Sequence, residues 1–377
     1  MNVYLDYAAT TPPDKESVEE MLPFLGEMFG NPDSLHSYGR KAAYAVTCAR
    51  DLVAQTLGVK ASEVYFTSGG TEADNWAIRG IAAKSPYRGV VISAIEHHAV
   101  LSAAELARKA GANVGVAKAD GDGIVTAQAV KEALKMPAGL VAVMAVNNET
   151  GCIQPIEKIS ALCRERGAVF FSDCVQAAGT LDLKQVCSLC DAVSLSGHKI
   201  YAPKGVGALV VKRGVPLSPL IAGGEQERGM RGGTLNVAGI VSFAGALARA
   251  QKAREENSRK IKALRDAFEE KVLSALPDVR RDGKNRAPGI SHLTFPAKGG
   301  ETLLARLDLM GVAASNGAAC SAQSAKPSHV LLAMGRTEDE AEKGVRFSFG
   351  KNTTEEEALY AAETVITCYR TIKGEER

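Results

Sequence analysis

The sequence predicts an α/β protein whose mostly parallel sheet carries helices on both faces, followed by a smaller α+β domain. The first indication is a set of short apolar runs that are continuous rather than alternating, which is typical of strands buried on both faces. The second is that helical stretches separate several of these runs, which favours a doubly wound sheet with ligands at the carboxyl ends of its strands. The predicted strands span residues 64–67, 90–93, 140–146, 169–171, 192–195 and 207–211.

Helical periodicity is clearest at 100–110, 156–166, 251–276 and 354–373. The 251–276 stretch places apolar residues three or four apart on one helix face, and we expect the domain boundary at or inside it. The expected large domain spans 14–250. The expected small domain combines 1–13 with 251–377. The apolar residues of that face are Ile261, Leu264, Phe268, Val272 and Leu276.

Composition excludes several classes of protein. The chain has 377 residues, 46% of them hydrophobic, and a net charge of +2. Charges of both signs are interspersed without a basic block, so direct nucleic-acid binding is not expected. The apolar runs are too short to span a bilayer, and the first residues do not resemble a signal peptide. We therefore expect a cytoplasmic protein that is not inserted in a membrane.

Eight cysteines are present, and in a chain of this kind free thiols are expected rather than a disulfide framework. Cys187 and Cys190 have the spacing of a metal or redox pair. A second pair or a nearby histidine that would complete four metal ligands is missing from the sequence around them. We interpret these two cysteines as structural and predict no metal site.

Two strand ends carry the pair of residues that a pyridoxal phosphate (PLP) site requires. Lys199 follows the apolar run 191–195, and Asp173 ends the run 168–173. A desolvated lysine is a candidate Schiff-base nucleophile, and a carboxylate keeps the pyridine nitrogen of PLP protonated. The alternative is a solvated loop lysine and a carboxylate that caps a strand end.

Other strand ends also carry polar residues. Thr71 lies in a small, glycine-rich turn that opens a helix, where it would either cradle a phosphate or act as an ordinary N-cap. His97 follows the run 90–93, and a neutral imidazole there would stack on an aromatic cofactor and exchange protons. Asn147 and Asn148 follow the run 140–146. Together these polar residues are predicted to form one site at the ends of successive strands.

Motifs along nearly the whole chain resemble those of the PLP-dependent cysteine desulfurases of the NifS/IscS type, within the fold-type I, class V aminotransferase group. The block Ser196-Gly-His-Lys199 is highly specific, and so is the order of the whole set. The matching segments are Tyr4–Pro12, Gly30–Arg40, Thr67–Glu72, Glu96-His97, Asn147–Glu149, Asp173–Gln176, Ser196–Lys199, Arg228–Thr234, Cys320 and Val345–Ser348.

The resemblance implies a role for each cofactor residue. Lys199 would form the Schiff base and later move protons, while Asp173 would hold the pyridinium. Gln176 would bond the ring hydroxyl, and His97 would stack on the ring and act in acid–base steps. The phosphate would be held by Gly70, Thr71, Ser196 and His198.

The same resemblance implies a substrate and a partner. Asn148, which would also touch the cofactor, and Arg346 would hold the carboxylate region of L-cysteine. Thr234 would reach the phosphate in the other subunit, which implies a homodimer with active sites at its interface.

Cys320 lies within 315–327, a stretch of small and polar residues for which we expect an exposed, mobile loop. A cysteine in such a loop is a candidate nucleophile. By resemblance, its thiolate would take the sulfur of cysteine as a persulfide and leave alanine.

Two departures from the resemblance concern function. Asn316-Gly-Ala-Ala319 stands where many relatives have Ser-Gly-Ser-Ala, and we expect no loss of activity from this change. The chain stops at Arg377, whereas relatives that serve the iron–sulfur scaffold carry a longer tail. The identity of the sulfur acceptor is therefore open, and the resemblance implies either an iron–sulfur scaffold or a tRNA-thiolation enzyme. The alternatives to a desulfurase are a selenocysteine lyase, an aminotransferase or a non-catalytic scaffold.

Overall fold

The computed structural model describes residues 1–85, 87, 89–134, 139–297, 300–317 and 327–374, with the side chain of Glu301 excepted. At its centre is a seven-stranded sheet with the strand order β2-β8-β7-β6-β5-β3-β4. All neighbouring strands are parallel except β8, which runs antiparallel to both β2 and β7. The strands are β2 (Val64–Thr67), β3 (Gly89–Ser93), β4 (Asn113–Ala117), β5 (Leu140–Ala142), β6 (Val169–Asp173), β7 (Ala192–Ser196) and β8 (Gly207–Val211).

This sheet confirms the predicted α/β class, with two differences from the predicted strands. The 140–146 run leaves regular strand structure after Ala142, although the amides of Val143 and Ala145 still donate to β6 carbonyls. Strand β4 was not predicted. It lies at the sheet edge with Asn113 exposed and Val116 51% exposed, so it lacks the continuous apolar run of a central strand.

Helices cover both faces of the sheet. The helix predicted at 156–166 has those bounds, and the one predicted at 100–110 begins two residues earlier. The stretch 251–276 begins as a helix only at Arg254, because a separate, unpredicted helix ends at Lys252. The helices are α1 (Lys15–Leu25), α2 (Ser37–Leu57), α3 (Gly70–Lys84), α4 (His98–Lys109), α5 (Ala127–Ala133), α6 (Ile156–Arg166), α7 (Leu183–Leu189), α8 (Val237–Lys252), α9 (Arg254–Ala275), α10 (Gly300–Leu309), α11 (His329–Ala333), α12 (Glu338–Glu342) and α13 (Glu355–Lys373).

Two smaller sheets involve the chain termini. Strand β1 (Val3–Tyr4) runs parallel to β11 (Val312–Ala313), so the N-terminus lies beside the C-terminal part of the chain. The other sheet has the order β12-β10-β9, with β9 (Arg280–Arg281), β10 (Ile290–Thr294) and β12 (Gly344–Ser348). The chain also makes 3-10 turns at Ala61–Glu63, Gly197–Lys199 and Gln226–Gly229.

Apolar side chains of the described residues form three cores. Two lie on opposite faces of the central sheet, since neighbouring strand residues such as Val90 and Val91 point to different ones. The third packs α9 and α13 against β10 and β12, and it includes Val3 and Leu5 from the N-terminus. The proposed domain bounds remain a prediction. Within the described residues, no helix is both long and apolar enough to cross a bilayer.

Candidate active site

Most of the predicted site residues line one cavity of about 250 Å³ at the carboxyl ends of the parallel strands. A larger cavity of about 530 Å³ lies beside it and shares Ala8, Val175, Gln176 and Lys199, but His97 and Asp173 do not line it. The smaller cavity is therefore the candidate active site. The predicted residues that line it are Gly70, Thr71, His97, Asn148, Asp173, Gln176, Ser196, His198, Lys199 and Arg346.

Lys199 and Asp173 come together because their strands are neighbours. Asp173 is the last residue of β6 and pairs with Ser194 of β7. Strand β7 then enters a 3-10 turn that ends at Lys199. The Lys199 ammonium donates to the carbonyl oxygens of Ala8 at 2.5 Å and Ala9 at 2.8 Å. The N-terminal segment thus orients the lysine from across the cavity.

Two buried carboxyl groups lie close to each other at this strand edge. Burial raises the pKa of Asp173, while the Val175 amide at 2.8 Å and the charge of Lys199 lower it. Burial and the charge of Asp173 raise the pKa of Asp74, whose Oδ1 accepts from the Ser194 hydroxyl at 2.5 Å. Two such carboxyl groups do not both ionise easily. The negative charge therefore resides on Asp173, which has the amide and the lysine beside it.

His97 is neutral in this site. It caps the N-terminus of α4, and its Nδ1 accepts from the Ala99 amide at 3.1 Å. Burial, and then the positive charge of Lys199, lower the pKa of His97 to about 4. The proton of the neutral ring is therefore on Nε2, and the ring is able to exchange that proton inside the cavity.

An anion cradle lies at the start of α3. The helix begins at Gly70, and a Cβ atom at that position would lie 2.7 Å from a Val175 methyl group. A Cβ at Gly69, whose φ is +154°, would lie 3.7 Å from the Ser196 hydroxyl. The first amides of a helix and a nearby hydroxyl bind phosphate well. Thr71, in the first turn of α3, adds a second hydroxyl.

His198 lies at the same edge, with its Nδ1 3.1 Å from the Thr10 hydroxyl. Burial, and then the charges of Lys199 and Lys204, lower the pKa of His198 to about 4. The ring is therefore neutral, so it offers hydrogen bonding to a phosphate rather than a full charge.

Arg346 places a buried guanidinium at the cavity. Its side chain is only 2% exposed, and it donates to Asp6 Oδ1 at 2.8 Å and to the Asn148 carbonyl at 2.7 Å. Its Nε has no hydrogen-bond partner among the described residues. A buried donor without a partner is costly, and a bound carboxylate would satisfy it.

The remaining predicted residues have different outcomes. Thr234 does not line it. Cys320 lies outside the described residues. Gln176 does line the cavity, but its amide donates to the Ala8 carbonyl at 2.8 Å.

Cys187 and Cys190 are buried, and burial raises the pKa of both thiols, to about 12 for Cys187. In the described part of the chain, no group of three or more His, Cys, Asp or Glu side chains is arranged to hold a metal ion.

Several residues that line the cavity or contact its lining had no role assigned from the sequence. Asp6, Ala8 and Ala9 contact the arginine and the lysine through a carboxylate and two backbone carbonyls. These three residues lie in the run Asp6-Tyr-Ala-Ala-Thr10, which has no apolar periodicity. The run pointed to the family resemblance but not to a role for any of its residues. Asp74 and Gly317 also line the cavity, and nothing in the sequence around them pointed to a role there.

The chain is similar to known proteins over almost its full length. Residues 3–360 match the family described as Aminotransferase class-V. A "Cysteine desulfurase IscS" of Clostridium botulinum is 42% identical over 369 residues, which cover 96% of this chain and 93% of that protein. A solved "NIFS-like protein" has a TM-score of 0.90 and 34% identity, covering 97% of this chain and 99% of that one. The structure titled "SspA in complex with cysteine" has a TM-score of 0.81 and 34% identity. The match covers 93% of this chain and 100% of that one.

Proposed function

This chain belongs to the class-V aminotransferase family, and from that membership we propose that it is a cysteine desulfurase that converts L-cysteine to L-alanine and passes on the sulfur. The observation that supports this most directly is the position of Lys199 and Asp173, at the ends of neighbouring strands in one cavity with His97. A lysine for the Schiff base and a carboxylate for the pyridine nitrogen are groups that PLP enzymes use, and a neutral imidazole is able to stack on the ring.

The residues present fit PLP. The start of α3 and Ser196 form a cradle in which a Cβ atom at Gly70 would be crowded by Val175, and helix amides with a nearby hydroxyl suit a phosphate. Asp173 would hold the ring nitrogen, Gln176 would bond the ring hydroxyl once it is released from Ala8, and His97 would lie on the ring. When bound, PLP withdraws electrons from the amino acid attached to it and so weakens bonds at its Cα and Cβ atoms.

The protein supplies the proton transfers. Lys199 and neutral His97 both lie at the cavity, and each is able to hold a proton, on Nζ and Nε2 respectively. Lys199 would move a proton to or from the substrate carbon, and His97 would act on the leaving sulfur. Arg346 and Asn148 would hold the substrate carboxylate, for which the buried Arg346 Nε is available.

Cys320 would accept the sulfur. Its sulfur atom attacks the sulfur of cysteine, so that a sulfur–sulfur bond forms while the bond between Cβ and sulfur breaks. The electron pair of the broken bond stays on Cβ, and a proton completes the methyl group of alanine. One cysteine and one thiol thus give one alanine and one persulfide, and no external oxidant or reductant is required. A sulfur-acceptor protein would then collect the persulfide sulfur.

We also propose that the protein is a homodimer. Large apolar side chains are exposed around the turn between α1 and α2 and along α2, and a patch of this kind is typical of a protein–protein interface. Thr234 lies outside the cavity of its own chain, which suits a residue that completes the site of a second copy. The exposed side chains include Leu25, Phe29, Leu35, Tyr38 and Tyr44.

The test combines absorbance with product analysis. Purified protein incubated with PLP should absorb in the visible range, and L-cysteine should change that absorbance and yield alanine. Cys320→Ser should keep the cysteine-induced absorbance change yet form neither alanine nor a protein persulfide. Lys199→Ala should lose both the visible Schiff-base band and turnover.

Three results would contradict the proposal. The first is amino transfer from cysteine to a keto acid instead of sulfur release. The second is a persulfide that mass spectrometry assigns to Cys187 or Cys190. The third is normal alanine release by Cys320→Ser. Cys48→Ser, at an exposed position on α2, is the matched thiol control and should turn over like the unaltered protein.

A further inference from the structure

A buried carboxylate lies beside the active site without lining it. Glu149 is 1% exposed and follows Asn148 in the turn after β5. Its Oε2 accepts a hydrogen bond from the Ser328 hydroxyl at 2.5 Å, across 179 positions of the sequence. Ser328 is also buried, at 4% exposure, so both groups are shielded from bulk solvent.

Ser328 lies just after the stretch 318–326, which contains Cys320 and is outside the described residues. The Ser328 hydroxyl also accepts from the Leu331 amide at 3.2 Å, as the N-cap of α11. The Ser328 hydroxyl thus connects the segment that follows residues 318–326 both to Glu149 and to the first turn of α11.

Gly317 is the last described residue before 318–326, and it lies against the Glu149 carboxylate. A Cβ atom at Gly317 would lie 3.2 Å from Glu149 Oε2, and the φ angle there is +85°. The Gly317 carbonyl accepts from Arg346 Nη1 at 3.3 Å, and the same nitrogen donates to the Asn148 carbonyl at 2.7 Å. Gly317 is three positions before Cys320, so its placement limits where the thiol is able to reach.

We propose that Glu149 is a positioning residue for sulfur transfer, because it fixes both flanks of the Cys320 stretch against the rim of the active site. It acts through Ser328 and Gly317 and does not touch the substrate. The inference rests on the proposed persulfide role of Cys320. Small displacements of a reacting group lower rates steeply, and a carboxylate holds a hydroxyl more firmly than a neutral acceptor does.

The test is Glu149→Gln, which keeps the size of the side chain and removes its charge. We expect alanine formation at saturating cysteine, and persulfide formation on the Cys320 peptide, both to fall about tenfold, as for the loss of one charged hydrogen bond. The cysteine concentration that gives half of the absorbance change should stay within about twofold, since the substrate contacts are intact. A defect in folding alone would instead reduce the amplitude of the cysteine-induced absorbance change in the same proportion as the rate.

Ser328→Ala should reproduce the slow sulfur transfer, and Ser328→Thr should recover it because the hydroxyl is retained. The double variant Glu149→Gln with Ser328→Ala should be no slower than the slower single variant, since both remove the same contact. Thr337→Ala is the matched control. It removes the N-cap of the neighbouring helix α12 without touching Glu149, and its rate should be unchanged.

The inference is overturned if Glu149→Gln transfers sulfur at the unaltered rate, or if the cysteine-induced absorbance change is lost in the same proportion. It is also overturned if the two single effects add fully in the double variant. If the unaltered protein forms no persulfide on Cys320, the proposed function itself fails, and this result is separate from a normal rate in the Glu149→Gln variant.

Discussion

At the scale of single residues, burial sets the charge states around the cavity. It lowers the pKa of His97 and His198 and raises that of Glu96, which lies next to His97 in the sequence, to about 8. The Glu96 carboxyl accepts from the Ser93 hydroxyl and from the Met144 amide at 2.8 Å. Near neutral pH these two histidines are therefore uncharged, and the charge of Lys199 favours the ionised form of Asp173.

One prediction concerns the pH dependence of stability without cofactor. His97 has a pKa of about 4 in the folded protein and about 6.5 in an unfolded chain. Between these values the unfolded chain binds a proton that the folded protein does not, so stability is lost as the pH falls from about 6.5 to about 4. His97→Asn keeps an oxygen that caps α4 and removes the titration. Its melting temperature should therefore fall less between pH 7 and pH 5.

The matched control is His36→Asn at the exposed N-cap of α2, which should follow the unaltered protein. Identical melting profiles for His97→Asn and the unaltered protein would contradict the neutral, buried state of His97.

A further prediction concerns Arg346. Loss of a charged hydrogen-bonding partner costs about 1.5–3 kcal/mol, so Arg346→Ala should weaken cysteine binding about ten- to hundredfold while PLP remains bound. Arg346→Lys should recover little, because an ammonium cannot form the planar fork. Binding is measured by titrating cysteine against the absorbance change.

Asp6→Asn is the control for Arg346, since it removes the ion pair at 2.8 Å but keeps the guanidinium. Unchanged cysteine saturation in Arg346→Ala would exclude the carboxylate role.

At the scale of secondary structure elements, the edge strand β2 shows how side chains form hydrogen bonds with the backbone groups of an unpaired strand edge. Within the described residues, no strand pairs with the outer edge of β2. Instead, the buried carboxylate of Glu227 accepts from the Phe66 amide at 2.9 Å and forms a forked pair with Arg50. Arg50 and Arg228 both donate to the Val64 carbonyl, at 2.7 and 2.9 Å. Side chains thus protect this edge from pairing with another chain.

This arrangement predicts a large loss of stability for Glu227→Ala. Removing one partner of a buried ion pair costs about 3–5 kcal/mol, because the other charge stays buried. Glu227 has no exposed side-chain surface, and Arg50 has 14%. Glu363→Ala breaks the more exposed pair with Lys271, for which less than about 1 kcal/mol is expected. Thermal unfolding should show a clearly larger decrease for Glu227→Ala, and equal decreases would disprove the argument.

At the scale of the whole molecule, the proposed dimer accounts for surface that a monomer would leave exposed. Leu35 is 90% exposed and Tyr44 is 72% exposed. Leu35→Glu should therefore shift the protein toward monomer in sedimentation experiments. Leu309 is similarly exposed, at 86%, but lies at the end of α10, and Leu309→Glu is the control that should leave the oligomeric state unchanged. A dimer that survives Leu35→Glu at all concentrations would place the interface elsewhere.

Mixed dimers test whether Thr234 serves the other subunit. In a dimer of one Lys199→Ala chain and one Thr234→Ala chain, the site that keeps Lys199 receives an intact Thr234 from its partner. Mixing the two variants should then restore PLP affinity and activity at one site in each mixed dimer. If Thr234 acts in its own chain, that site lacks it, and mixing should restore nothing beyond the activity of Thr234→Ala alone.

Local sequence pattern was sufficient to predict the α/β class and the segments that meet at the cavity. Continuous apolar runs mark buried strands, and parallel strands bring their carboxyl ends to one edge, so Asp173 and Lys199 were predicted to meet from local pattern alone. The specific roles of Gln176, Thr234 and Cys320 came from the family resemblance, because their residue types and spacing would fit many other sites.

Only the tertiary structure decided which distant segments complete the site. The Ala8 and Ala9 carbonyls that orient Lys199 are about 190 positions away from it, and the Asp6 carboxylate that pairs with Arg346 is 340 positions away. Strand β8 is antiparallel and β4 is an exposed edge, although their sequences do not mark either fact. Hydrophobic periodicity indicates which face of an element is buried, but it does not indicate which remote residues cover that face. Those remote residues determine the charge of Asp74 and the contact between Glu149 and Ser328. They also leave Arg346 Nε without a hydrogen-bond partner among the described residues.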